Sequence, residues 1–346
     1  MSEANTSPER DRYYQKINED HLTPLWSVLG QLVTKQPGTG CVPHLWKYAV
    51  ARKHLMEAGE LITAKEAERR VLILENPGFR GQSKITSSLY AGLQLVKPGE
   101  VAPAHRHTQS ALRFVLEGQG AHTAVAGEKT RMSPGDFVIT PNWAWHDHGN
   151  ESDEPMVWLD GLDIPLVQFL DTSFAEMLGD DEQPLSRIEG DSMARFGTGL
   201  LPVDHERKAH TSPIFNYPFD RTRDALEIMR QQNEWDPCHG LKMRYVNPIT
   251  GDYAMPTMAT FMQLIPQGIQ TECYRSTDAT VMVIVEGKGS SQIQGELFDW
   301  EANDIFVIPS WCEVVHTIEE DAVVFSYSDR PVQQKLGLWR ELRGGY

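Results

Sequence analysis

The chain has 346 residues, of which 40% are hydrophobic and 23% are charged, as in an ordinary globular protein. Its 32 lysines and arginines are outnumbered by 48 aspartates and glutamates, giving a formal net charge of −16. This acidity argues against nonspecific binding of nucleic acid and against docking on an anionic membrane surface. The length exceeds what one simple core needs and indicates two domains, or one domain repeated.

The four cysteines are far apart in the sequence and form no C-x-x-C pair. This spacing predicts neither a disulfide framework nor a zinc–thiolate site. The first five residues are polar and lack the basic-then-apolar pattern of a signal peptide. No apolar run approaches membrane-spanning length. We therefore expect a cytoplasmic protein with no membrane partner.

The N-terminal part of the chain, residues 1–85, is predicted to be a helical extension. Apolar residues recur at helical spacing over residues 25–33. A second helix is predicted over residues 45–56, with Gly59 as its end. Residues 63–66 read Thr-Ala-Lys-Glu, the capping-box pattern that begins a short helix.

Short β-branched or alternating runs separated by turns begin near residue 71 and predict a first β-barrel over residues 86–170. The clearest predicted strands cover residues 89–96, 112–116, 122–126, 136–140 and 156–162. A mixed connector follows over residues 171–235, with a helix predicted at 220–232. The strand-like texture then returns over residues 236–346.

This return is an internal duplication. The run that begins at Val281 repeats the run that begins at Leu112, 169 residues earlier, and both end in a Glu-Gly-x-Gly turn. The run that begins at Asp304 repeats the one at Asp136, 168 residues earlier. The near-constant offset predicts two copies of one domain in the chain.

Three histidines in the first copy have the spacing of a metal site. His105 and His107 lie two residues apart, so in a strand they share one face. His146 follows after a Pro-Gly-Asp turn and can reach them from a neighbouring strand. Because the chain has 12 histidines, an H-x-H pair alone is weak evidence. Three imidazoles leave open positions on a metal, which is typical of a catalytic site.

Two further groups are predicted at the same cavity. If the strand continues past His107 without a bulge, Arg113 faces inward, where a guanidinium needs an anionic partner. That partner is either a substrate carboxylate, which arginine binds through two parallel hydrogen bonds, or an internal aspartate or glutamate. His148 shares the parity of His146 and is either an acid or base or a hydrogen-bonded structural histidine.

Parity also places Trp158 with Asp160, and Tyr90 with Gln94, on faces that can line this cavity. No carboxylate stands where many non-haem iron oxygenases have one. Three neutral ligands leave the metal its full double charge, which favours capture of an anionic, chelating substrate. Ligand types alone do not separate Fe(II) from Zn(II).

These residues resemble the cupin superfamily, whose fold is a double-stranded β-helix of jelly-roll type. The first cupin motif matches Gly99 through His107, without its usual glutamate; the second matches Gly135 through Asn150, with Trp143 at a usual glycine. More narrowly, the chain resembles the gentisate 1,2-dioxygenase family over essentially its whole length. The segments that carry this likeness are residues 69–72, 76–78, 104–111, 141–150 and 158–163.

The resemblance implies a mainly β protein with two cupin barrels and an Fe(II)-dependent activity. The expected reaction cleaves the ring of gentisate, with O2, between the carboxyl-bearing and hydroxyl-bearing carbons to give maleylpyruvate. Matching positions assign the iron to His105, His107 and His146. They assign Arg113 and His148 to the carboxylate and adjacent oxygens, and Asp160 to the far hydroxyl. The remaining matched positions near the substrate are Gln94, Trp158 and Arg69.

The second copy departs from this pattern. By the same offset, Tyr274 and Ser276 replace the two paired histidines, and His316 falls opposite His148. We therefore expect no second metal site, and a role for this barrel in folding and in a homo-oligomer, with a tetramer favoured by the resemblance.

Two alternatives stay open. One keeps the chemistry but changes the substrate to salicylate or 1-hydroxy-2-naphthoate. The other is a non-oxygenase metal-binding cupin, such as an isomerase, a storage protein or a sensor. The acidic chain weighs against a DNA-binding sensor, and the absence of a signal peptide weighs against a secreted storage protein.

Overall fold

The computed structural model describes residues 7–205 and 210–344, so the polar start of the chain lies outside the described residues. The chain divides into two compact units, residues 1–38 and 39–346. The first unit contains helices α1 (Pro8–Glu19) and α2 (Leu25–Leu32). Helix α2 confirms the helix predicted over residues 25–33.

The second unit opens with a mixture of strands and helices: β1 (His44–Trp46), α3 (Tyr48–Leu61), α4 (Ala64–Ala67), β2 (Val71–Ile73) and a 3-10 turn (Pro77–Phe79). The helix predicted over residues 45–56 was placed too early, because residues 44–46 pair as a strand with the second barrel. Gly59 does not end the helix. Gly59 lies inside α3, at a point where a Cβ atom would come within 2.9 Å of the Leu95 side chain. The capping box at Thr63 is confirmed.

The first barrel follows the predicted pattern of short strands. They are β3 (Tyr90–Val96), β4 (Val101–His107), β5 (Ala111–Glu117), β6 (Ala121–Val125), β7 (Glu128–Arg131), β8 (Phe137–Thr140), β9 (His146–Asn150) and β10 (Met156–Leu162). Each of the five clearest predicted strands is confirmed to within one residue at either end. Their turns carry glycines with positive φ, as at Gly99 (φ 75°) and Gly135 (φ 84°).

The connector contains α5 (Ile164–Phe169), β11 (Ala175–Met177), α6 (Asp191–Phe196), β12 (Asn216–Tyr217) and α7 (Phe219–Arg230). Helix α7 confirms the helix predicted at residues 220–232. The two short strands return to the first barrel and extend its two sheets, whose strand orders are β12-β8-β5-β10-β3-β2 and β11-β4-β9-β6-β7. The connector therefore completes the barrel as well as linking it to the next one.

The second barrel contains β13 (Leu241–Arg244), β14 (Ala259–Ile265), β15 (Tyr274–Ser276), β16 (Thr280–Ile293), β17 (Glu296–Glu301), β18 (Ile305–Ile308), β19 (Val314–Ser328), α8 (Arg330–Lys335) and β20 (Glu341–Arg343). Its main strand path is β1-β18-β16-β19-β14-β13. A mainly β fold with two cupin barrels and a small helical N-terminal part is thus confirmed. The boundaries given for the four segments of the chain stay predictions.

The barrels pack against each other through one continuous apolar core. Strand β5 shows how this core positions the site, because its side chains alternate between the two faces of the sheet. Leu112 and Phe114 face the second barrel, where Phe114 stacks on Phe325 with ring centroids 4.2 Å apart. Arg113 therefore points the other way, into the first barrel. Among the described residues, no helix combines the length and apolar character needed to cross a bilayer.

Candidate metal centre

The structure brings the three predicted ligands together inside the first barrel. His105 and His107 lie on β4, and His146 begins the antiparallel neighbour β9, where it pairs with His105 across the ladder. One nitrogen from each ring lies within 4.8 Å of the other two. His105 and His146 are buried, at 8% and 1% exposure. Residues far apart in sequence therefore converge on one point.

The backbone fixes the tautomer of His107 and His146. In each ring Nδ1 faces a backbone carbonyl two residues away, at 2.9 Å. A carbonyl only accepts, so both Nδ1 atoms carry the proton and both Nε2 atoms keep a lone pair. His105 Nδ1 lies between the carbonyl of Pro103, at 3.2 Å, and the guanidinium of Arg69. The Nε2 atom of His146 is buried and has no hydrogen-bond partner. A buried ring nitrogen that has a lone pair and no hydrogen-bond donor nearby is available to coordinate a metal.

Burial keeps the three imidazoles neutral. It lowers the pKa of His105 to about 3, with a further contribution from the nearby Arg69. It lowers the pKa of His107 to about 4 and that of His146 well below its usual value. Neutral imidazole is the form that ligates a metal. The donor set therefore fits a divalent transition metal, without specifying which one.

Arg113 reaches this site by a different route from the predicted one. The strand does not continue past His107: residues 108–110 form a turn, and Arg113 lies on β5 in the other sheet. Its guanidinium is nevertheless buried inside the barrel, at 4% exposure. NH1 donates to Thr140 Oγ1 at 2.5 Å, and NH2 donates to His148 Nε2 at 2.8 Å.

The remaining guanidinium nitrogen, Nε, lies 3.4 Å from Asp160 Oδ1 and forms no hydrogen bond. Of the two partners considered for Arg113, the internal carboxylate is therefore present at ion-pair distance. It leaves one buried N–H of Arg113 without an acceptor. A buried donor in this state is costly and favours an incoming anionic group.

His148 is hydrogen-bonded through both ring nitrogens. Thr123 Oγ1 donates its proton to the carbonyl of Asp147 at 3.2 Å. The hydroxyl therefore accepts the hydrogen bond from His148 Nδ1 at 2.7 Å. His148 Nε2 then accepts from Arg113. Burial lowers the pKa of His148 well below its usual value. In this arrangement His148 is a neutral acceptor that orients the guanidinium, and not a strong base.

Asp160 is the most basic carboxylate of the site. Burial raises its pKa to about 6, against the opposing effect of Arg113. Trp158 Nε1 donates to its Oδ1 at 3.0 Å, which confirms that these two side chains share a face. Asp160 stands opposite Arg113 in the β5–β10 ladder. It can accept a hydrogen bond or a proton near neutral pH.

Gln94 and Arg69 complete the predicted set. Gln94 is buried and pairs with Trp158 in the β3–β10 ladder. Arg69 NH2 donates to Pro103 O at 2.9 Å and lies 2.5 Å from His105 Nδ1. Burial lowers the pKa of Arg69, and Asp160 partly offsets this. A second cation therefore stands beside the histidines.

Sequence reasoning missed the two threonines that hold this network. Thr140 accepts from Arg113 and Thr123 accepts from His148. Thr123 lies outside both cupin motifs, and Thr140 is not one of the matched positions of the second. A lone threonine in a strand gives no functional signal because threonine is common there. Strand parity alone could have suggested Thr140, which ends β8 next to the first residue of β5.

The second barrel keeps the frame but not the ligands. Tyr274 pairs with Val314 where His105 pairs with His146 in the first barrel. Among the described residues, one group of three side chains could hold a metal ion, and it consists of His105, His107 and His146. Trp143 and Trp311 occupy the same turn with φ 61° and 65°. Each donates its backbone N–H at 2.7 Å to the carbonyl of residue 107 or 276.

A cavity of about 1200 Å³ lies elsewhere in the described part of the chain. It is lined by the loop Pro141–Ala144 and by residues of the connector, among them Phe196 and Phe215, and includes none of the three histidines. The histidine cluster is closely packed, with the ring centroids of His105 and His146 4.0 Å apart. The chemistry of the side chains therefore locates the site better than cavity size does.

Comparison with known proteins gives consistent matches. The cupin domain family matches residues 92–162. The chain is 61% identical over 335 residues to gentisate 1,2 dioxygenase 1 of Aquipseudomonas alcaligenes, covering 97% of this chain and 96% of that protein. It is 32% identical to the 1-hydroxy-2-naphthoate 1,2-dioxygenase of Nocardioides sp. (strain KP7), covering 98% of this chain and 89% of that protein.

Among solved structures, the chain resembles salicylate 1,2-dioxygenase from Pseudoaminobacter salicylatoxidans in its adduct with gentisate. The TM-score is 0.93 at 34% identity, over 100% of this chain and 96% of that one. The likeness to these three proteins covers nearly the full length of each chain, and they differ in the aromatic acid named for each.

A first prediction concerns metal content. We expect His105→Ala to lose at least 100-fold in metal affinity, since a ligand is removed. The matched control is His316→Ala, in the second barrel, which should keep one metal per chain. Metal per chain is measured by mass spectrometry after anaerobic loading and desalting. Full metal content in His105→Ala, or its loss in His316→Ala, contradicts the ligand assignment.

Proposed function

The chain belongs to the gentisate 1,2-dioxygenase family of ring-cleaving cupin dioxygenases, and we propose that it cleaves gentisate with O2 between the carboxyl-bearing and hydroxyl-bearing ring carbons, giving maleylpyruvate. Support comes from the 61% identity to a gentisate dioxygenase over nearly the whole chain. The site adds a metal-ligand triad next to a buried cation and a buried carboxylate.

We propose Fe(II) as the cofactor, held by His105, His107 and His146. The unpartnered Nε2 of His146 and the fixed tautomers of His107 and His146 support a metal at this point. When bound there, ferrous iron supplies the redox chemistry that lets O2 react with an aromatic ring. The chain's own residues then bind and orient the substrate, exclude water and hold protons.

The single observation that carries the substrate proposal is Arg113. Its guanidinium is buried inside the barrel and is oriented by His148 and Thr140, and its Nε–H has no acceptor. A substrate carboxylate supplies the missing acceptor and the missing negative charge, in a site from which water is excluded. His148, beside it, is proposed to hold the guanidinium toward the carboxylate and the adjacent oxygens.

Asp160 is proposed to select the far hydroxyl of gentisate. Its carboxylate is buried on the strand opposite Arg113, and its raised pKa makes it a good acceptor near neutral pH. Trp158 holds one of its oxygens and leaves the other available. Salicylate and 1-hydroxy-2-naphthoate lack this hydroxyl, so Asp160 favours gentisate over them.

Gln94, Trp158 and Arg69 are proposed to shape the rest of the substrate site. Gln94 is buried and forms no hydrogen bond to another described side chain, so its amide is available to a substrate oxygen. Arg69 adds positive charge beside His105. A second candidate activity, on 1-hydroxy-2-naphthoate, is favoured only by the relative that carries this name.

We also propose that the protein works as a homo-oligomer, with a tetramer favoured, in the cytoplasm. The apolar residues of α2 support an assembly, because Leu25, Trp26 and Leu32 are more than half exposed. The four free cysteines support a reducing compartment.

The substrate is tested by O2 uptake. With the protein loaded anaerobically with Fe(II), we expect gentisate to cause rapid uptake and a conjugated ring-opened acid to appear. Salicylate and 1-hydroxy-2-naphthoate should give a kcat/KM at least roughly tenfold lower, since they leave Asp160 without its partner (about 1.4 kcal/mol per tenfold). Uptake with salicylate or the naphthoate alone, or with none of the three despite bound iron, contradicts the proposal.

The role of Asp160 predicts a pH dependence. Its pKa is about 6 in the free protein, so the carboxylate is ionised above that pH and protonated below it. Because a neutral carboxyl is the weaker acceptor, kcat/KM for gentisate should fall as the pH drops through about 6. Asp160→Asn should lower the high-pH value by roughly tenfold or more and remove this limb.

The matched control is Asp163→Asn. Burial also raises the pKa of Asp163 to about 6, but its carboxylate bonds to Ser110 N and Thr257 Oγ1, away from Arg113. This variant should keep the acid limb. A limb that persists in Asp160→Asn would assign the titration to another group.

A further inference from the structure

The second barrel contains a small polar cavity at the place where the first barrel holds its metal ligands. It is lined by Tyr274 and Val314, the pair that replaces His105 and His146 in the ladder, together with Lys242, Gln263 and His316. Its volume is about 30 Å³. Space of this size holds on the order of two water molecules.

Lys242 brings a positive charge into this cavity. It lies on β13, opposite Gln263 in the ladder with β14. Among the described residues, its Nζ has neither a hydrogen bond nor an ion pair. The Nζ atom lies over the ring of Phe261, 4.8 Å from the ring centroid. Burial lowers its pKa to about 7, helped by the nearby Arg330. A cation in this position lacks its natural counterion.

His316 adds a second donor. Trp300 Nε1 donates to Ser291 Oγ at 2.8 Å, so the hydroxyl proton of Ser291 is directed to His316 Nδ1, 2.7 Å away. The proton of the neutral imidazole is therefore on Nε2, the nitrogen left for the cavity. This is the reverse of His148, whose Nε2 accepts from Arg113.

The charges around the cavity do not cancel. Arg330 pairs with the buried Asp278, with Nε 3.1 Å from Oδ2, which neutralises one cation. Lys242 remains. Gln263 Oε1 is buried and has no hydrogen-bond partner. Since Lys242 Nζ has no acceptor among the described residues, its N–H donors are available to a ligand.

We propose that the second barrel binds a small monocarboxylate anion between Lys242 Nζ and His316 Nε2. A carboxylate offers two oxygens, one for each donor, and its single charge matches the unpaired lysine. The cavity volume limits the ligand to about the size of formate. The site is separate from the histidine triad, so it does not depend on which aromatic acid the first barrel cleaves.

The test is the thermal unfolding of the iron-loaded protein over a series of sodium formate concentrations. A ligand that binds only the folded state raises Tm as its concentration increases. We expect a saturable rise in the wild type and at least a tenfold higher apparent Kd in Lys242→Met. Without formate, Lys242→Met should have a higher Tm than the wild type, because an unpaired and partly buried charge is removed.

The matched control is Lys288→Met, which removes an exposed lysine from the same barrel. It should keep the wild-type response, and general salt effects appear equally in both variants. Formate binding to the metal would also be equal in both. The same formate response in Lys242→Met as in Lys288→Met, or no response in the wild type, overturns the proposal.

A second measurement needs no variant. Crystals of the wild type are soaked in sodium bromide, and the anomalous scattering of bromide marks anion sites. We expect a peak in contact with both Lys242 Nζ and His316 Nε2. Bromide peaks only at other places in the protein overturn the assignment.

Discussion

The buried guanidinium of Arg113 is the interaction on which the rest of the site depends. It contacts His148, Thr140 and Asp160, which lie on three different strands of the first barrel. A guanidinium in this place is tolerated only because each of these partners is fixed by its own strand. The inter-barrel core forces this arrangement, since the neighbours of Arg113 on β5 are committed to the second barrel. Substrate recognition is thus coupled to the packing of the two domains.

The two barrels show how one frame serves two purposes. Both retain the left-handed tryptophan turn, with Trp143 and Trp311 donating to equivalent carbonyls. Both retain a histidine bonded through Nδ1 to a hydroxyl, at 2.7 Å in each case. A tryptophan N–H on the serine of the second barrel reverses the direction of that bond. Nε2 of His148 therefore accepts a hydrogen bond, whereas Nε2 of His316 carries the proton and can donate.

Much of this was predictable from the sequence, because the relevant signals are periodic or local. Strand alternation predicted the barrels, their duplication and the shared face of Trp158 and Asp160, and spacing predicted the three histidines. The inward position of Arg113 was predicted on the wrong ground. The strand was assumed to run through residues 108–110, which form a turn. In the structure Arg113 faces inward for another reason: Leu112 and Phe114, its neighbours on β5, face the apolar core between the barrels.

What could not be predicted depends on contacts between distant segments. The sequence pattern predicts a helix where strand β1 lies, because the partner of this strand is more than 250 residues away, at residues 305–307. The supporting role of Thr123 and Thr140 has no local signature. The unpaired charge of Lys242 becomes visible only once the strand that carries it is placed over the cavity.

One metal, held in the first barrel, is proposed to meet one aromatic acid bound by Arg113. This arrangement can be observed by diffraction at the iron absorption edge, on crystals grown anaerobically with Fe(II) and gentisate. We expect one anomalous peak per chain, among His105, His107 and His146, with the gentisate carboxylate in contact with Arg113. A second peak in the second barrel, or gentisate bound away from Arg113, would contradict it.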